Sequence, residues 1–179
     1  MNKSIKAAQG GFTLIELIVV IVILGILAAT ALPKFASLSG EARLASLNAA
    51  KGSLSATSAM VHGKWLVTPN PGANITVEGT AVAMDALSGY PAVSTQAQAD
   101  ALAAAAGLSA TDYTVLTSTS TATNKPPLNA GQVAIVPTSL AATAKATKCY
   151  VLYTGAVAAN AAPAITLAAG TAPSVADCE

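Results

Sequence analysis

Charge is what this sequence has least of: Asp, Glu, Lys and Arg make up 9% of its 179 residues, against about 25% in an ordinary soluble domain. Nine basic side chains against eight acidic ones leave a formal net charge of +1, so no broad field points toward nucleic acid or an anionic surface. Aromatic residues are 4% of the chain, and there are one His and two Cys. That inventory cannot furnish a four-ligand Cys/His zinc site, and the scattered acids do not gather into a carboxylate one. No metal and no cofactor is expected. GxSxG, HExxH and a glycine-rich phosphate loop are also missing, which leaves a membrane-tethered enzyme without nucleophile, base or metal ligands. No catalytic residue is assigned, and the length excludes a large multidomain enzyme.

What the chain has in quantity is alanine, 42 residues of it, and a hydrophobic share of 53%. Much of that share is methyl groups spread along the chain. One segment is different: FTLIELIVVIVILGILAATAL at 12–32 is apolar but for Glu16, and it follows a basic stretch holding Lys3 and Lys6. At about 1.5 Å per residue a helix of this length just spans a hydrocarbon core of about 30 Å. The two lysines stay cytoplasmic by the positive-inside bias, which sends the rest of the chain outward. AATA at 28–31 resembles an ordinary signal-peptidase site. Glu16 argues against a disposable signal, because a carboxylate inside an apolar segment costs about 2.5–3.5 kcal/mol at mid-membrane and is by default functional.

Gly10-Gly11-Phe12-Thr13-Leu14-Ile15-Glu16 resembles the class III signal of type IV prepilins. The resemblance implies that a prepilin peptidase cuts between Gly11 and Phe12 and that the new Phe12 amine is N-methylated. Removing 11 of 179 residues leaves 168, with seven basic and eight acidic side chains. The Phe12 amine gives Glu16 a partner, in its own chain or in a neighbouring subunit, that relieves the burial cost of both. Thr13 can add a hydroxyl hydrogen bond. In the family this contact registers each incoming subunit; the alternative is that Glu16 snorkels to the interface. Gly25 and Pro33 are weak points in a helix, and by resemblance the stretch between them unwinds in assembled fibres; a simple kink is the other reading.

Beyond the anchor, Leu44, Leu47, Leu54, Val61 and Trp65 recur at helical spacing. They predict one helix from Phe12 to about Lys64, roughly 80 Å long, with Trp65 and Met60 in the core and His62 on the surface or at the core's edge. Residues 66–80, with Pro69, Pro71, Gly72 and Gly79, read as an irregular connection. A short helix ended by Gly89 is expected over 81–89, and a clearer one over Thr95–Ala106 behind a Ser94 cap. Tyr113–Thr117, Gln132–Pro137, Cys149–Thr154 and Ala164–Leu167 read as strands, with a polar loop that has nothing to bury between the first two. In an exported chain Cys149 and Cys178 are expected to form a disulfide.

A helical spine, a variable connection, a four-stranded sheet and a disulfide-closed loop make up the pilin plan. The expected fold is therefore α+β, a long N-terminal helix packed on a four-stranded antiparallel sheet, divided into a leader (1–11), a transmembrane and filament-core segment (12–33) and a head (34–179). ARLASLNAAKGSLSATSAMVHGKW (42–65), GYP (89–91) and KCYVLYT (148–154) resemble the mannose-sensitive haemagglutinin group of the type IVa branch. The function this implies is a structural, non-enzymatic subunit polymerising into a surface fibre for attachment. Its expected partners are identical subunits, the prepilin peptidase, the inner-membrane assembly machinery and the inner membrane itself, ahead of an extracellular life on a Gram-negative cell. A nucleic-acid partner is not expected, since Lys125, Lys145 and Lys148 are the only head cations beyond Lys64 that bear on it and no aromatic run accompanies them. The rival reading is a type II secretion pseudopilin, whose acidic calcium loop would fall where this chain has Cys149–Cys178.

Overall fold

The computed structural model describes residues 12–69, 71–156, 158–159, 161–168 and 171–179, without the side chains of 36 and 37. The chain divides into two compact units, Met1–Ala36 and Ser37–Glu179. A single helix, α1 (Leu14–Val67), contributes to both. Phe12 and Thr13 precede it, so the helix begins two residues later than the sequence suggests.

In the first unit α1 has no polar side. Thirteen large apolar side chains between Phe12 and Leu27 are exposed, from 45% at Ile18 to 94% at Phe12. At about 1.5–3 kcal/mol for each such side chain, standing in water forfeits roughly 20 kcal/mol or more. This helix is stable only in lipid or against other helices.

In the second unit α1 is one-sided. Leu47, Ala50, Leu54 and Val61 are buried along one stripe, with Leu44 and Trp65 packed at its ends. Met60 is not in the core as its size suggests: at 52% exposure it lies off the stripe, one residue before Val61 and about 100° around the helix. The stripe covers a four-stranded antiparallel meander, β3 (Tyr113–Thr117), β4 (Gln132–Pro137), β5 (Val151–Thr154) and β6 (Ala164–Leu167), in that spatial order. The register sets Val115 opposite Ile135, Ile135 opposite Val151 and Val151 opposite Leu167. Tyr113 and Tyr153 lie on the helix-facing side: the Tyr113 hydroxyl bonds to Ser46 of α1, and Tyr153 sits beside Ser58. Burial pushes the Tyr153 phenol up to about 12. Ala134, Val136 and Leu152 point the other way and are buried as well, as central strands covered on both faces require. The 118–131 connection, expected to be a polar loop with nothing to bury, is tied down and contributes one apolar side chain to the core. Lys125 Nζ donates to the Ser118 and Ser120 carbonyls at 2.6 and 3.0 Å, Asn124 donates to the Ala142 carbonyl at 2.8 Å, and Leu128 packs on the core.

The region after α1 departs most from expectation. In place of the irregular connection and the start of the helix that the sequence suggests, β1 (Asn74–Val77) and β2 (Thr80–Ala83) form a hairpin. Its two turn residues, Glu78 and Gly79, have φ of 47° and 79°, the left-handed pair that a type I′ turn needs. Each strand is only four residues long, and β2 is half alanine, which hides the alternation. What selects the strand is burial of Ile75, Val77 and Val82. The chain after β2 turns at Asp85, whose Oδ1 accepts the Ser88 amide and hydroxyl at 2.8 and 2.9 Å and the Leu87 amide at 3.1 Å. The Ser88 bonds hold the Asp85 carboxyl below the usual carboxylate range. α2 (Gln96–Ala105) is capped by Thr95 rather than Ser94, in a reciprocal box with Gln98.

Gly89-Tyr90-Pro91 locks this turn onto the end of α1. Tyr90 stacks on His62 with ring centroids 3.9 Å apart, His62 Nδ1 lies 2.7 Å from the Gly89 carbonyl oxygen, and the Pro91 carbonyl accepts the Tyr153 hydroxyl at 3.2 Å. Gly89 has φ +68°, and a Cβ there would lie 2.5 Å from the Trp65 ring. Gly89→Ala therefore combines left-handed strain with a collision and should cost the head roughly 2–4 kcal/mol. Thermal unfolding of the detergent-solubilised chain, followed in the near-ultraviolet circular dichroism of Trp65, measures it.

Candidate functional site

The start of α1 is a capping box. Thr13 donates to Glu16 Oε2 twice, from its amide at 2.7 Å and its hydroxyl at 2.8 Å, and the Glu16 amide returns a bond to Thr13 Oγ1 at 3.3 Å. Leu14 is the first helical residue, so Thr13 is the cap and Glu16 the third residue of the first turn, the T-x-x-E arrangement that satisfies two otherwise orphaned amides. The same carboxylate complements the positive end of the helix. Beyond the expected Thr13 hydroxyl bond the structure adds the full box, whose sequence signal is Thr-x-x-Glu ahead of an apolar run.

Both Thr13 bonds end on Oε2, and among the described residues Oε1 accepts none of the bonds of the box. Cutting before Phe12 would place an amine one residue from the cap without disturbing these contacts. The site can thus hold a negative charge, locally hydrogen-bonded, at the tip of an otherwise apolar rod, with Oε1 outside the box. Gly11 and the leader (1–11) lie outside the described residues. Phe12 and Thr13 stand ahead of the helix.

α1 passes Gly25 and Pro33 without interruption. Pro33 offers no amide to the Ala29 carbonyl, and the Thr30 hydroxyl bonds back to the Leu27 carbonyl at 3.0 Å. A Cβ on Gly25 would meet no atom within 4 Å, so neither space nor φ demands glycine there within one subunit. In the head, Cys149 and Cys178 are joined, with Cα atoms 5.2 Å apart and both side chains fully buried. β5 starts at Val151 rather than Cys149, because Cys149 belongs to the preceding turn, where its amide bonds to the Lys145 carbonyl at 2.9 Å.

Residues 6–32 match the family model of the prokaryotic N-terminal methylation motif. This is a prepilin-type N-terminus. The match takes in Gly11, Phe12, Thr13 and Glu16 together with the apolar stretch, and it ends where the helix leaves that stretch. It supports a type IV pilin or pseudopilin, and it implies processing by a prepilin peptidase and assembly into a filament. The long helix with a four-stranded antiparallel sheet matches the pilin fold. No solved structure matches the chain. Helix α1 is long and apolar enough to cross a membrane, which fits an inner-membrane precursor.

Proposed function

We propose that this chain is the structural subunit of a type IV pilus of the type IVa, mannose-sensitive haemagglutinin group. It polymerises with identical subunits through residues 12–33 into a surface fibre for attachment on a Gram-negative cell. The observation that carries the reading is the tip of α1: a hydrogen-bonded carboxylate on a rod whose large apolar side chains are all exposed. Such a rod must leave water, and in a bundle of its own copies the buried Glu16 finds the one cation that processing creates, the Phe12 amine of a neighbour. Gly25 and Pro33 mark the stretch that unwinds when the bundle forms. The Cys149–Cys178 loop, in place of an acidic loop, favours a pilus over a secretion pseudopilus.

Electron microscopy of sheared surface material, from cells with and without the gene, tests this. Loss of long filaments is the expected result; intact filaments with failed protein secretion would transfer the chain to the pseudopilins. Processing is checked separately by mass spectrometry of the fibre subunit. The mature N-terminus should be methylated Phe12, and Gly11→Ser should leave the leader uncut, because the peptidase must fit a residue without a side chain at the scissile bond. A mature chain beginning after Ala31 would refute the pilin reading.

A further inference from the structure

Gly40 is the first buried residue of α1 among those whose side chains are described. Leu32, Phe35 and Leu38 before it are 52–68% exposed. Residues 174–179 cover it. A Cβ on Gly40 would stand 2.6 Å from the Val175 carbonyl oxygen and 2.9 Å from Val175 Cγ1, so this segment rests on the helix backbone itself. Close approach, not a turn, is what requires glycine here. One turn further along, Arg43 donates through Nη1 to the Cys178 carbonyl at 2.8 Å and through Nε to the Ser139 hydroxyl at 3.2 Å.

The segment is held from the other side as well. Its single 3-10 turn, Val175–Asp177, is closed by a box between Ser174 and Asp177. Lys148 lies 3.7 Å from Asp177, Lys145 donates to the Ala176 carbonyl, and Cys178 is bonded to Cys149 just ahead of β5. The Ser174 bonds, then Lys148 and Lys145, hold the Asp177 carboxyl below its ordinary range. A stretch with almost no structure of its own is thus pinned to α1 at two points and to the β5 approach at three. The next fully buried position on α1 is Leu47, with only half-buried Leu44 and the Ser46–Tyr113 bond before it.

The geometry points to a mechanical strap: residues 174–179 fix the root of α1 in the head and set where unwinding of the helix from its N-terminal side stops. With the strap in place the stop is Gly40. With the strap released it moves to Ser46 and Leu47. The disulfide is the strap's covalent anchor, and Gly40 and Arg43 are its seat.

Hydrogen exchange of the processed full chain in detergent micelles, read by mass spectrometry, tests this on single subunits, so its outcome is independent of whether the chain forms pili. In the wild type, protection should step up at Gly40. An added dithiol reduces the bridge, giving two electrons and two protons to the Cys149 and Cys178 sulfurs as it closes to its own cyclic disulfide. Exchange at amides 41–46 should then rise by about tenfold or more, while amides 54–61 and β4 stay within about twofold. Gly40→Ala and Arg43→Gln, which keep the disulfide, should each raise exchange at 41–46 in the same local pattern. If reduction opens the whole head, these two variants decide. Wild-type exchange at 41–46 in both of them, with the head intact, would overturn the strap, as would a wild-type protection step at Leu47.

Discussion

Glu16→Val should leave processed subunit in the inner membrane and few or no fibres in the sheared fraction. An apolar side chain replaces a costly carboxylate, so insertion is unharmed or slightly better. The scissile peptide is unchanged, so the leader still comes off. In the proposed assembly, what disappears is the counter-charge for a neighbour's Phe12 amine inside an apolar bundle, where attraction is directional and poorly screened. The substitution also removes the capping box, since Oε2 is the acceptor for both Thr13 donors. Glu16→Gln separates the two effects. Glutamine at the third helical position still completes a capping box, so helix start and insertion should resemble the wild type while assembly stays poor. The measurement is the ratio of sheared to membrane-bound subunit in the three strains. Normal yield from the Gln variant alone would make Glu16 a helix cap rather than a charge partner. Normal yield from Val would strip it of both roles.

Cys149→Ser should destabilise the head by about 2–5 kcal/mol, a large part of an ordinary domain's stability. The bridge spans 29 residues of sequence, and the chain-entropy estimate for a loop of about 30 residues is about 3.6 kcal/mol. A serine hydroxyl then occupies a fully buried site, which adds the cost of an unpartnered polar group. The thermal midpoint of the solubilised subunit should fall by roughly 5–15 °C, and fibre yield should fall with it because less folded head reaches the assembly step. Thiol labelling of native subunits should find neither cysteine reactive. Free thiols at both positions, or an unchanged midpoint in the Ser variant, would remove the disulfide from the account of head stability.

The parts of this protein that were legible in its sequence share one property: their signal is local. Phe12 to Glu16 carries a spaced motif, Leu47, Leu54 and Val61 repeat at helical intervals, and the four sheet strands are short Val-, Ile- and Tyr-rich runs between turns. The β1–β2 hairpin was hidden because alanine at 81 and 83 masks period-two alternation and Glu78-Gly79 is a less familiar pair for a type I′ turn. Met60 was misplaced by being large and apolar, where its phase on the helix decides its exposure. The Gly40 seat and the Gly89 contact with Trp65 lay beyond reach for a different reason. Each glycine answers to a residue distant in sequence, and nothing adjacent to it announces the partner.

Strand order β3-β4-β5-β6 places every strand of the sheet beside its neighbour in the chain. Each pairing therefore closes a short loop, the low-contact-order arrangement in which little chain entropy is lost before contacts begin to repay it. The sheet can zip hairpin by hairpin as the chain emerges, without waiting for the distant helix stripe. Pairing of β5 with β6 sets Val151 opposite Leu167 and so shortens the distance the Cys149–Cys178 bridge has to span. A subunit trapped before oxidation should already show strand content, and its folding rate should be set by docking of α1 onto a preformed sheet.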